Sequence, residues 1–426
     1  MNKKDLNAMQ ITPAINYALK LFTYPLSLII PKNSKILVIG GWFGERFADN
    51  SRYLYEFLSI NKEKYDFEKV IWVTRNKKII QELENKNFEV YHIWSLKSIW
   101  YHLRSPIFIY DQSINDLNSF FLHKGVLLYL WHGFPLKKIG TFAMSDEYKK
   151  KSRCNIKIFQ TLECILPGVK IRYGGKGSYL LAQSEFASNV LSEAFSIPKD
   201  RVILAGYPRN DIFDQKEPEV YYIGNDFELI KKIQDLKNLG YKIIFYAPTF
   251  RDKAPTNFFG TEDLSEIQKL KTFLLNKNYA LITKFHFATN TMGQILENDS
   301  HFFNLDSDTD VYSVLPFIDI LITDYSSIAF DFLFLNRPII YFPYDLEYYR
   351  DEDRGFMFDF EEFTPGPKVY NIDELTKILE EIYQGVFIDH FSDERKKLSE
   401  KIYDPKYYPG SHILATEINK ILRTYS

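Results

Sequence analysis

Cysteine is nearly absent from this chain: Cys154 and Cys164 are the only two among 426 residues. Their spacing matches no zinc or redox motif, so no disulfide framework is expected and a reducing compartment is the natural setting. An excess of either charge is also missing. Lysine and arginine number 53 against 55 acidic residues, a formal charge of −2, which argues against bulk electrostatic binding of nucleic acid. The opening MNKKDLNAMQ lacks the n-region and cleavage site of a secretory signal. A dinucleotide loop is missing too. IGGWFG, with Gly40, Gly41 and Gly44, departs from GxGxxG, and no acidic residue closes a second strand in register, which disfavours a dehydrogenase and leaves a tight turn. No internal repeat or low-complexity tract is present.

What is there is apolar and periodic. A chain of this length with 46% hydrophobic residues can bury two cores, so two domains are expected. ITPAINYALKLFTYPLSLII, within an N-terminal segment 1–30, is strongly apolar, but Asn16, Lys20 and two prolines argue against a spanning helix. It reads either as a helix lying in a membrane interface or as a buried first helix. Beyond it, KILVIGG, KVIWVT, FIYDQ and LLYLWHG are short apolar runs separated by amphipathic segments, the pattern of parallel βαβ units. SYLLAQ and RVILAGYP extend this first domain, placed at 31–215, and the polar DQKEPEVYYIGND is the linker. Alternation restarts with KIIFYAPTF, YALITKFH, HFFNLD, DILITD and PIIYFP in a second domain at 227–426. The expected fold class is therefore α/β: GT-B, two Rossmann-like doubly wound domains facing a cleft, with ligands outside the carboxyl ends of the strands.

The most informative stretch is 319–367. DILITD passes at once into Tyr325-Ser326-Ser327 and a helical run. Backbone N–H groups and serine hydroxyls at such a turn form an anion cradle, which makes phosphate the first ligand to consider. After PIIYFP, the loop YDLEYYRDEDRGFMFDFEEFTPGP crowds Asp345, Glu347, Arg350 and Arg354 beside a sheet edge, a composition suited to a polar ligand. His132 ends LLYLW and reads either as a general base or as a structural histidine. Lys284 and His286 lie two apart on ALITKFH, so their side chains share one face and can reach a phosphate together; the bland reading is a solvated strand end and a turn cap. Thr249 and Arg251 end KIIFYAPTF, where Arg251 either grips phosphate bidentately or makes a salt bridge. Arg209, Asn210 and Asp211 position a substrate or cap a helix. No acidic cluster is persuasively placed for a metal; Asp306-Ser307-Asp308 is the best objection.

Taken together, TDYSS, YDLEYYR and RGFMFDFE, with Trp131-His132-Gly133, Gly206-Tyr207-Pro208-Arg209-Asn210-Asp211 and Tyr246-Ala247-Pro248-Thr249-Phe250-Arg251-Asp252 in the same order, resemble the CDP-glycerol:glycerophosphotransferases of teichoic acid synthesis. The resemblance covers residues 131 to 367. It implies transfer of a polyol phosphate from CDP-glycerol or CDP-ribitol to a hydroxyl of a lipid-linked, undecaprenyl-diphosphate type acceptor of teichoic acid or capsule, with release of CMP and no metal or other cofactor. It implies His132 as the base and His286 as a catalytic partner, with Thr249, Arg251, Lys284, Ser326, Ser327, Asp345, Glu347, Arg350 and Arg354 around the donor. Two departures stand out: Phe134 replaces a common Thr, implying a different acceptor side, and Phe287 replaces a common Pro. The alternative within the fold is a glycosyltransferase using a nucleotide sugar.

One basic run completes the picture. Lys149, Lys150, Lys151, Arg153, Lys157, Lys170 and Arg172 face a single Glu163, with apolar residues between them. Such a surface suits the headgroups of an anionic membrane, and the expected location is peripheral, on the cytoplasmic face of the bacterial cell membrane.

Overall fold

In a computed structural model of the chain, residues 13–144, 178–213, 226–251, 256–284, 300–306 and 309–423 are described, residues 13–18 by their backbone alone. Seven strands form the first sheet: β1 Ile36–Ile39, β2 Lys69–Thr74, β3 Val90–His92, β4 Ile107–Tyr110, β5 Val126–Tyr129, β6 Ser178–Ala182 and β7 Val202–Leu204. The order is β3-β2-β1-β4-β5-β6-β7, and every pairing is parallel. A second parallel sheet holds β8 Lys242–Ala247, β9 Tyr279–Thr283, β10 Phe302–Asn304, β11 Ile320–Thr323 and β12 Ile339–Tyr341, in the order β10-β9-β8-β11-β12. The strands are apolar throughout because helices cover both faces of a parallel sheet; β1, β4, β9 and β11 are buried at every residue.

Five helices matter below: α1 Pro13–Ile29, α2 Asp49–Ile60, α3 Leu96–Arg104, α4 Ile328–Phe332 and α5 Gly410–Arg423. The two sheets give two Rossmann-like units in a GT-B arrangement, as expected. Residues of both units share one cluster of buried side chains, from Leu37 and Trp72 to Phe330 and Tyr349. Helix α5 lies within the expected second domain, yet it packs on the first: Asp211 accepts from Gly410 N at 2.7 Å and Ser411 N at 2.8 Å. Tyr65 reaches His412 Nδ1 at 2.8 Å. Asp211 thus caps a helix that starts far along the chain, satisfying N–H groups the helix cannot pair itself.

Strand order reverses at β1/β4 in the first sheet and at β8/β11 in the second. Ligands bind at such switch points, outside the carboxyl ends of the strands. Gly40–Gly44 follows β1, Asp111–Asp116 follows β4, Thr249–Arg251 follows β8 and Asp324–Ser327 follows β11, while His132 follows the neighbouring β5.

Candidate active site

The chain leaves β5 through a left-handed Trp131 (φ 59°) and a Gly133 with φ 144°. A non-glycine residue in that region costs about 1–3 kcal/mol and persists only where its surroundings impose it. Here they do: Asn50 Nδ2 donates to Trp131 O at 2.9 Å and Arg209 Nη1 donates to His132 O at 2.9 Å. A Cβ on Gly133 would lie 3.2 Å from Arg209 Nη2 and 3.2 Å from Ser327 Oγ, so glycine is what lets Ser327 of the second unit close on the histidine loop of the first.

His132 is half-buried and packs on Trp131, ring centroids 3.7 Å apart. Its Nδ1 lies 3.4 Å from the Asp111 carbonyl. A carbonyl only accepts, so the proton of the neutral ring belongs on Nδ1 and Nε2 keeps its lone pair. Burial pushes the imidazole pKa down to about 3, with Arg209 and Lys137 adding to the effect and the Asp111 carbonyl opposing it. The ring is neutral at pH 7, the form a general base requires. Beneath it sits an acidic pair absent from the sequence-based candidates. Burial, with Asp49 and Asp116 nearby, holds the Asp111 carboxyl well above the carboxylate range. Burial also raises Asp116 to about 6, against the N–H groups of Gln112, Phe43, Ser113 and Asp111.

Arg209, expected only to position or cap, is the main tie between the units. It is 1% exposed and donates to Asp49 Oδ1 at 2.6 Å and Asp331 Oδ2 at 2.8 Å. Tyr312 and Tyr403 hydroxyls also reach Asp331, at 2.9 and 3.1 Å. Arg52 forms a second tie, to Asp310 at 2.8 Å. Charges this deeply buried appear in sequence only as ordinary polar residues of α2 and of a loop.

Across the cleft, Arg251 departs from the expected phosphate donor. It is 1% exposed. Its Nη1 meets Asp324 Oδ2 at 2.8 Å, its Nε and Nη2 grip both oxygens of Asp345 at 2.8 Å, and Thr249 O accepts from it as well. Tyr325 adds a hydroxyl to Asp345 Oδ1 at 2.9 Å. Two carboxylates neutralise the guanidinium and saturate its fork, so Arg251 and Asp345 brace the loop after β12 instead of presenting charge to a ligand. Asp324 completes the brace, accepting from Thr249 N at 2.8 Å and Tyr325 N at 2.5 Å. Thr249 Oγ1 is buried with no hydrogen-bond partner among the described residues, which leaves a hydroxyl for an added group.

Ser326 and Ser327 stand half-exposed at the turn. Ser326 Oγ makes only a 3.5 Å contact with Ile328 N, and Ser327 Oγ caps no backbone group. Helix α4 is five residues long and passes into a short 3-10 turn, so hydroxyls and N–H groups carry this cradle more than a macrodipole does. Lys284 Nζ is held by Thr309 O at 2.5 Å. Glu347, Arg350 and Arg354 are exposed on the loop, where Arg350 pairs with Asp351 at 3.0 Å. His286, the basic run from Lys149 to Arg172, Asp252 and Asp308 lie outside the described residues. Among those described, no group of His, Cys, Asp or Glu side chains is suited to hold a metal ion.

Phe134 also departs from expectation. It is fully buried and packs on Phe358, Phe363 and Phe330 at 5.5, 6.4 and 5.3 Å. The side chain that replaces Thr fills the junction between the units and does not face an acceptor. The loop containing Phe356 and Met357 seals that junction, with Met357 N donating to Leu136 O at 2.9 Å and Phe356 bridged to Lys137.

The site now has its relatives. The chain is 28% identical over 374 residues to the teichoic acid poly(glycerol phosphate) polymerase of Bacillus spizizenii, covering 84% of this chain and 85% of that one. It is 29% identical over 370 residues to the teichoic acid glycerol-phosphate transferase of Staphylococcus aureus, covering 84% and 87%. The teichoic acid poly(ribitol-phosphate) polymerase of Bacillus spizizenii matches at 25% over 409 residues, 93% of this chain and 60% of that one. In fold, the wall teichoic acid polymerase TagF superposes with a TM-score of 0.67 at 21% identity, over 98% of this chain and 96% of the other. The family described as CDP-Glycerol:Poly(glycerophosphate) glycerophosphotransferase matches residues 22–403, and the chain belongs to it.

Proposed function

We propose that this protein transfers glycerol phosphate or ribitol phosphate from a CDP-activated donor to a hydroxyl of a lipid-linked acceptor at the cytoplasmic face of the bacterial membrane. The observation that carries the reading is the close approach of Ser327 to Gly133, which sets a neutral His132 against a phosphate cradle from the other unit. The acceptor hydroxyl attacks the β-phosphorus while His132 Nε2 takes its proton. The new P–O bond forms as the bond to the bridging oxygen breaks, and CMP leaves with the electron pair. Ser326, Ser327 and Thr249 supply donors to the phosphate oxygens, with Lys284 alongside, and a role for His286 rests on the family resemblance alone. Fixed donors of this kind stabilise charge that develops in the transition state without a metal.

The test is CMP release from CDP-glycerol and from CDP-ribitol, each with a synthetic lipid-linked acceptor, in EDTA. Release from one donor with matching growth of the acceptor by mass supports the reading and names the polyol. Silence with both, and turnover with a nucleotide sugar, replaces it with glycosyl transfer.

A further inference from the structure

We propose that Asp116 is the positioning residue for His132: acting through the Asp111 carbonyl, it fixes the tautomer of that ring with its proton on Nδ1. A neutral imidazole does not choose its own tautomer; the hydrogen bond it makes chooses it. For His132 that bond runs from Nδ1 to Asp111 O, 3.4 Å away. Released from this carbonyl, the proton is free to move to Nε2 and cover the lone pair that faces the cleft. The Asp111 carbonyl belongs to the turn after β4, so whatever orients that peptide orients the base.

Asp116 does so directly. Its side chain is fully buried, and its Oδ2 accepts from Gln112 N at 2.9 Å and from Asp111 N and Ser113 N at 3.2 Å. Gln112 N and Asp111 O are the two ends of one planar peptide, which point in opposite directions. Pulling that N–H toward Asp116 therefore turns the carbonyl toward His132. A helix cap would account for the bond from Ser113 alone; the others exceed it. The second oxygen, Oδ1, accepts from Phe43 N at 2.7 Å, and the Asp111 carboxyl takes Trp42 N and Ser51 N at 3.3 Å. Trp42, Phe43 and Gly44 are consecutive residues with positive φ, a run that persists only where its surroundings impose it. Protonation would undo the arrangement, because a carboxylic acid trades an acceptor site for a donor. Asp116 is raised to about 6, chiefly by burial, while burial lowers His132 to about 3, so the carboxylate titrates over a range in which the ring stays neutral. Other titratable or charged groups facing the turn are Asp111 within it, Asp49 from α2, Tyr129 from β5 and Arg75 after β2. The consequence for turnover rests on the catalytic reading above; the assignment of the tautomer does not.

The experiment is long-range hydrogen–nitrogen correlation NMR of the full chain with isotope-labelled histidine, the His132 signal being identified by its absence from His132→Ala. At pH 7.5 the wild-type ring should carry its proton on Nδ1. In Asp116→Asn the amide group, in either orientation, sets a donor against Phe43 N–H or against the N–H groups of residues 111–113. The proton should then move largely to Nε2. The kcat for CMP release should fall by about tenfold or more, within the 10²–10⁴-fold that a general base contributes, with KM for the CDP-polyol and circular dichroism unchanged. A proton that stays on Nδ1 in the folded variant overturns the proposal whatever the turnover, and so does a wild-type ring protonated on Nε2. If the variant does not fold, the wild type decides: lowering the pH from 7.5 to 5 should move the proton to Nε2 with a midpoint of about 6 and no gain of ring charge, and an unmoved tautomer overturns the proposal. A tautomer shift with unchanged turnover, or full turnover by His132→Ala, fails the catalytic reading and leaves the assignment of Asp116 standing.

Discussion

Lowering the pH should unfold this protein through a buried histidine far from the chemistry. His102 is fully buried in α3. Its Nδ1 donates to Ser98 O at 2.7 Å and its Nε2 accepts from Asn118 N at 3.2 Å, so both nitrogens are committed to the neutral ring. Burial, with a contribution from Lys32, pushes the pKa down to about 4 against the Ser98 carbonyl. The unfolded chain titrates near 6.5 and so binds the proton first. Stability from this group is therefore complete above about pH 6.5 and lost as pH falls toward 4. Between pH 7.5 and 5 the linkage amounts to about 2 kcal/mol, with a limiting slope of about 1.4 kcal/mol per pH unit. His123, lowered to about 4, and His132, lowered to about 3, both chiefly by burial, add losses of the same sign. Urea midpoints at the two pH values read the effect. His102→Gln should be less stable at pH 7.5 yet lose about 2 kcal/mol less than the wild type on acidification. An equal drop in both proteins would refute the assignment.

Other outcomes follow from the same geometry. Arg209→Met strands Asp49 and Asp331 and should cost about 3–5 kcal/mol, while Arg209→Met with Asp331→Asn should cost less than the two changes summed by about 1–3 kcal/mol in urea unfolding; strict additivity would break the proposed tie. Gly133→Ala meets both a positive φ and the 3.2 Å contacts with Arg209 and Ser327, and a loss of about 1–3 kcal/mol with reduced CMP release is expected; unaltered stability and turnover would show that the loop does not need glycine. Arg251→Lys keeps the charge but loses the fork that grips Asp345, so faster proteolysis within the loop at 345–355 is expected, and an unchanged cleavage rate would deny the brace.

The architecture was legible because both sheets are parallel and buried, so their strands read as uninterrupted apolar runs, and because the motifs follow those strands directly. The partners of charges were not legible. Arg251 and Arg209 both look like cations at the edge of a cleft, and only tertiary neighbours show that each is consumed by two carboxylates. Asp211 has a cap's chemistry, yet its helix begins at Gly410, a pairing no local pattern contains. In α1 the apolar content was evident, but which face turns inward depends on Phe120 and His123, about a hundred residues away in sequence. Phe134 suggested a changed acceptor side and instead fills the junction between the two units, because its neighbours are Phe330, Phe358 and Phe363, all far along the chain.

The central claim is that neutral His132 is the base for the incoming hydroxyl. Its most direct test is CMP release by His132→Ala, at saturating donor and acceptor, beside the wild type, with the fold checked by urea unfolding. The account predicts a loss of about 10²–10⁴-fold in turnover in a folded protein. Near-normal turnover would contradict it and return the histidine to a structural role.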